Sequence, residues 1–186
     1  IGASAVHVSA DCTPFGRRRD KQVEVALGGV PLVATGSPYL VSPGRVVKDN
    51  ATPYRVFSPF FRRWREHGWR RPARSGPDSA QWLDPLVLPG TSARPVEIPD
   101  LRTRLDLPAG EAAALQHWKD FCDARLGDYG EDRDRPDLDG ISRMSAHLKF
   151  GTVHPRTMSA GLDLRRGGPA AYLRQLAFRD FYASVL

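Results

Sequence analysis

The chain has 186 residues, 41% of them hydrophobic, with 27 basic against 21 acidic residues and a formal charge of +6; its pI is near 9.7. All but four of the basic residues are arginine, which suits recognition of phosphate by planar, bidentate donors and leaves nucleic acid open as a partner. Cys12 and Cys122 lie far apart with no CxxC, so neither a disulfide framework nor a zinc site is indicated and a reducing cytoplasm fits; no run approaches the ~18 apolar residues of a membrane span.

Ala5 to Ala10 reads as a buried strand, and Arg17 to Leu27 as a helix with Val23, Ala26 and Leu27 on its inner side. The run Arg17-Arg18-Arg19 is either a solvated helix start or a phosphate contact. Val30 to Ala34 and Tyr39 to Ser42 are short apolar runs split by the turn signal Thr35-Gly36-Ser37-Pro38, read as a last strand and its extension. Pro59 suits the first turn of a helix carrying Phe61, Trp64 and Trp69, with Arg62, Arg63, Arg65, Arg70 and Arg71 around it. Tryptophans at helical spacing pack inward, although basic residues interleaved with them also bind nucleic acid.

Pro72 to Pro108 is rich in proline without a sustained period and reads as a connector. Glu111 to Leu126 is expected to be a helix with Leu115, Trp118, Cys122 and Leu126 inward, an acidic first turn and Gly127 past its end. Next, Gly140-Ile141-Ser142-Arg143-Met144-Ser145 places a glycine and two hydroxyls where a loop becomes a short helix ended by Gly151. Free backbone N–H groups there favour a phosphate, and Arg143 adds a charge-assisted donor.

Val153 to Arg166 forms the next expected helix, with Pro155 early in it and Gly167-Gly168 as its stop. Pro169 then starts a helix on which Tyr172, Gln175, Phe178, Arg179 and Tyr182 fall within an arc of about 120°; an ordinary core stripe would be apolar there. His147 and His154 have no partner at metal spacing. Short loops between these helices imply an all-α bundle. The chain has no initiator Met and stops within a helical pattern at Ala183 to Leu186, which reads as an internal fragment of a longer protein.

Four motifs, spaced along the chain, resemble those of the photolyase/cryptochrome family, flavoproteins that use blue light to drive electron transfer. They are Tyr54 to Phe60; Tyr129, Arg133, Asp134 and Pro136; Gly140 to Ser145 with Leu148 and Gly151; and Phe178-Arg179-Asp180-Phe181-Tyr182. The resemblance implies an α/β fold followed by an all-α one. Residues 1–64 would be the C-terminal part of a nucleotide-fold α/β (antenna-type) domain, 65–110 an interdomain connector, and 111–186 the first helices of an FAD-binding helical domain.

It also implies FAD as cofactor, a second antenna chromophore of unspecified identity, ultraviolet-damaged DNA as partner, and a soluble cytoplasmic monomer without metal. The activity implied is light-driven repair of cyclobutane pyrimidine dimers, a carbon–carbon lyase reaction. By carry-over, Tyr129, Ile141, Ser142, Arg143, Met144, Ser145, Tyr172 and Arg179 would contact the cofactor. Arg133, Gln175, Phe178 and Tyr182 would face DNA, with Gln175 and Phe178 at the lesion. Three positions depart from the dimer-repairing pattern: Gln175 stands for Glu, Phe178 for Trp and Ile141 for Thr. Gln175 resembles cryptochromes and the enzymes of the (6-4) photoproduct, so a blue-light photoreceptor and a (6-4) photolyase stay open as alternatives. So does a cofactor-free basic DNA-binding module, against which stands the absence of a helix-turn-helix or zinc pattern.

Overall fold

The computed structural model describes residues 2–73, 80–84, 97, 99 and 107–185; most of the expected Pro72–Pro108 connector lies outside them. It opens with strand β1 (Val6–Val8), helix α1 (Pro14–Ala26) and strand β2 (Leu32–Ala34). The strands pair in parallel with Val6 opposite Leu32 and Val8 opposite Ala34, the arrangement a crossover helix imposes. Thr13 caps α1 by accepting a hydrogen bond from Gly16 N at 3.0 Å, and Pro14 fills the first helical position, where a missing N–H costs nothing. Val23, expected inward, is 39% exposed. Two short strands offer α1 little to bury against, and Gly16 is its one buried residue.

Helices follow: α2 (Phe57–His67), α3 (Glu111–Ala124), α4 (Tyr129–Asp132), α5 (Ser145–Phe150), α6 (Pro155–Ala160) and α7 (Gly167–Val185). An α/β part thus precedes an all-α part, as expected. One cluster of buried side chains runs from Leu40, Val41 and Val46 through Phe60 and Trp64 to Trp118, Phe121, Met158, Leu173 and Phe181. Helix α2 turns Phe60 and Trp64 into this core, and Arg62, Arg63 and Arg65 are exposed. Trp64 is fully buried and lies near Trp69 at 4.6 Å between centroids, so both tryptophans pack inward. None of the helices is long and apolar enough to cross a membrane, among the described residues.

Several expected elements differ. Tyr39 to Ser42 is irregular, not a strand extension, because the Val41 N–H is satisfied by the Asp180 carboxylate at 2.8 Å and not by a ladder. The inner face of α3 is Ala114, Trp118 and Phe121, while Leu115 is exposed. The expected Val153–Arg166 helix is cut to α6, because Asp163 folds a turn beyond Gly161 by accepting from Arg165 N and pairing with its guanidinium. Gly167-Gly168 is not a stop; it is the first turn of α7. A Cβ on Gly168 would sit 1.9 Å from Leu126 O and 2.4 Å from Gly127 O, so glycine there lets α7 lie directly on the α3–α4 turn.

Candidate flavin cradle

Two positions set the shape of the Gly140–Ser145 segment. A Cβ on Gly140 would lie 2.6 Å from Asp132 Cβ and 2.9 Å from Asp132 O, so the chain leaves α4 in a contact only glycine tolerates. Arg143 has φ +52°, a left-handed conformation that costs a non-glycine residue roughly 1–2 kcal/mol. Such strain persists only where surroundings over-determine it. Here they do: Ser142 is buried, its Oγ shares a 2.8 Å hydrogen bond with Tyr172 Oη, and its carbonyl accepts one from His117 Nε2 at 2.7 Å.

Alternate residues of the segment face opposite ways. Ser142 and Met144 are buried, whereas Ile141, Arg143 and Ser145 are exposed. The N–H groups of Ile141, Ser142, Arg143 and Ser145 have no protein acceptor among the described residues. The Arg143 guanidinium meets Asp139 at 2.9 Å, in an exposed pair worth little. Four amides without a protein acceptor, beside a guanidinium and a serine hydroxyl, are a donor set of the kind that attracts an anion. Ser142 is not a helix cap: Met144 occupies the cap position of α5, without a side-chain bond.

Helix α7 brings some expected site residues to this segment and keeps others away. Tyr172 is buried against Trp118, Phe121 and Tyr129, with centroids 4.9 to 5.5 Å apart, and burial pushes its phenol pKa up, as it does that of Tyr129. Both are therefore neutral packing groups, and Tyr172 meets the segment through its hydroxyl on Ser142. Gln175 is half-buried. Phe178 stacks on Phe57 at 3.5 Å and 8°, so one of its faces is taken, and Tyr182 is 62% exposed.

Arg179 donates to Pro38 O at 2.6 Å and lies over the Tyr39 ring. It therefore straps α7 to the loop before Leu40, with no ion pair to the adjacent Asp180. Arg133, at the end of α4, pairs with Asp134 at 3.3 Å. His147 and His154 are structural. His154 Nε2 donates to Ser37 O, while its Nδ1 accepts from Arg156 N; His147 is buried, with Nδ1 on Thr152 Oγ1.

Two polar groups have partners that a reading of the sequence does not reveal. Asp180 is buried and accepts from Val41 N and from Trp64 Nε1 at 3.0 Å, joining α7 to α2 and the Leu40 loop. The available signal is a lone acid on the otherwise apolar stripe of Leu173, Ala177 and Asp180. The half-buried His117 is the other; it flanks the buried stripe of α3 at helical spacing from Ala114 and Phe121.

Comparison with known proteins returns one consistent set of likenesses. A family model described as DNA photolyase matches residues 1–78. The deoxyribodipyrimidine photo-lyase of Synechococcus sp. is 31% identical over 207 residues, covering 100% of this chain and 42% of that protein. That of a Thermus thermophilus strain is 37% identical over 189 residues, covering 100% and 40%. A crystal structure of a bacterial class III photolyase from Agrobacterium tumefaciens superposes with a TM-score of 0.70 at 25% identity, covering 100% of this chain and 41% of that one. The chain spans about two fifths of the length of these relatives.

Proposed function

Because the chain belongs to the DNA photolyase family, we propose that it contributes one wall of an FAD site in a light-driven DNA-repair lyase acting on cyclobutane pyrimidine dimers. The observation that carries this reading is the Gly140–Ser145 segment: a strained, doubly anchored turn with amides that lack a protein acceptor among the described residues and with Arg143 and Ser145 exposed. In this reading the amides of Ile141, Ser142, Arg143 and Ser145, the Arg143 guanidinium and the Ser145 hydroxyl hold the cofactor diphosphate. Tyr129, Met144 and Tyr172 back the cradle from the core. When bound, the flavin supplies the one-electron chemistry of ring splitting.

The chain's own part is to bind, orient and exclude water. Arg133 contacts the DNA backbone, a sequence-independent and salt-sensitive contact. Gln175 and Tyr182 meet the extruded lesion, which costs less to flip than an intact, well-stacked pair. Phe178 offers the lesion its ring edge and the face away from Phe57. Gln175 also supports a second reading, a photoreceptor or (6-4) enzyme with the same cradle, since an amide can donate to a substrate where a carboxylate cannot.

Flavin titration of an apoprotein that carries the complete FAD site, this chain included, tests the cradle. Arg143→Ala and Arg143→Gly should each weaken FAD about tenfold to a hundredfold, the worth of one charge-assisted hydrogen bond. Arg143→Gly should also raise the unfolding midpoint, because glycine adopts a positive φ without strain. Unchanged FAD affinity in both variants would reduce the segment to a plain lead-in to α5.

A further inference from the structure

Resting on the flavin reading of Gly140–Ser145, we propose that His117 is a positioning residue of that cradle: its Nε2–H holds the Ser142 carbonyl inward and thereby aims the Arg143 N–H outward at the cofactor phosphate. In a planar trans peptide the C=O and N–H point in opposite directions. The Ser142–Arg143 peptide is such a unit, so fixing its oxygen fixes its hydrogen. The oxygen is fixed at 2.7 Å from His117 Nε2. A carbonyl only accepts, so the ring carries its proton on Nε2. The hydrogen then points away from α3, toward the side where Arg143 and Ser145 are exposed, and finds no protein acceptor among the described residues.

The same bond bears on the strain at Arg143. With φ +52°, this residue gains by a flip of the preceding peptide, which would return it to an ordinary conformation and turn its N–H into the protein. The Ser142 Oγ contact to Tyr172 fixes the side chain but leaves the peptide plane free to rotate. The His117 bond opposes the flip directly. Beside it lies the buried His147 ring, 5.8 Å away between centroids, with its Nδ1 on Thr152 Oγ1 and not on Ser142.

The test compares His117→Leu with His117→Gln, whose amide N–H reaches about as far as Nε2. Both are made in a protein that carries the complete FAD site, titrated with FAD by absorbance and followed by thermal unfolding of the apoprotein. The expected result is FAD weakened about tenfold or more by His117→Leu and restored to within about threefold by His117→Gln, with similar unfolding midpoints for the two variants. Wild-type FAD affinity in His117→Leu overturns the proposal. Equal weakening in both variants overturns it too, because ring packing and not N–H donation would then be at work. A wild type that takes up no FAD sinks the flavin reading itself and this proposal with it. Should neither variant fold, the Arg143 amide resonance of the wild type decides: a downfield shift on adding FAD supports the proposal, and an unmoved resonance overturns it.

Discussion

Gly168→Ala is expected to cost more than about 3 kcal/mol and to leave the chain largely unfolded at body temperature, while Gly167→Ala next to it is neutral or slightly stabilising. The added Cβ at position 168 would lie 1.9 Å from Leu126 O and 2.4 Å from Gly127 O. Both obstacles are backbone, so the first turn of α7 or the α3–α4 turn must move by more than an ångström. Overpacking of this kind commonly costs roughly 1–3 kcal/mol, and more where nothing flexible yields. At position 167 a Cβ meets nothing within 4 Å, and alanine favours a helix over glycine by about 0.5–1 kcal/mol. Urea unfolding of the two variants measures the contrast. Equal stability would mean that α7 does not rest on the turn after α3 as described.

Removing the Asp180 carboxylate is the second large effect. Asp180 is 1% exposed and its Oδ2 accepts from both Val41 N and Trp64 Nε1, while Oδ1 has no partner among the described residues. Asp180→Ala leaves two buried donors unsatisfied, at about 1–3 kcal/mol each, and separates α7 from α2. Asp180→Asn keeps an acceptor for both donors and should cost far less.

The pair also predicts a pH dependence. Burial pushes the Asp180 pKa up to about 6 against the lowering effect of its hydrogen bonds. Its folded pKa thus lies above the ordinary carboxylate value of 3.8, so its contribution is fully present below that value and is lost as pH rises through the folded pKa. The loss is about 3 kcal/mol between roughly pH 4 and pH 7. The difference in unfolding free energy between wild type and Asp180→Asn should therefore shift by that amount in disfavour of the wild type. A difference that stays flat over this window would show that the carboxylate is not desolvated.

Much of the Gly140–Gly151 backbone was legible because its signal is local. Gly140 to Ser145 and Gly151 are short-range instructions for a turn and a helix end, and the structure bears the latter out with φ +72° at Gly151. Helix α2 was legible from Pro59 and the spacing of its aromatic residues. What escaped depends on contacts between distant segments. Gly167-Gly168 has the composition of a stop, and only the approach of Leu126 O shows that it is a start. The inner face of α3 reads from its larger residues as Leu115 and Cys122, because buried Ala114 gives no size signal. The roles of Asp180 and His117 rest on partners 139 and 25 residues away, which no period or motif encodes. Phe178 was legible as a stacking residue, yet its first partner is Phe57 within this chain.

Light-driven repair is the activity proposed for this cradle. Its most direct measurement is the loss of defined cyclobutane dimers from oligonucleotides incubated with the FAD-loaded protein under blue light and in the dark. Loss is expected in the light only, retained or improved by Gln175→Glu, since a carboxylate accepts hydrogen bonds from the pyrimidine edge. A protein that holds FAD but removes no dimer in the light, with Gln175→Glu equally inert, would contradict it and favour the photoreceptor.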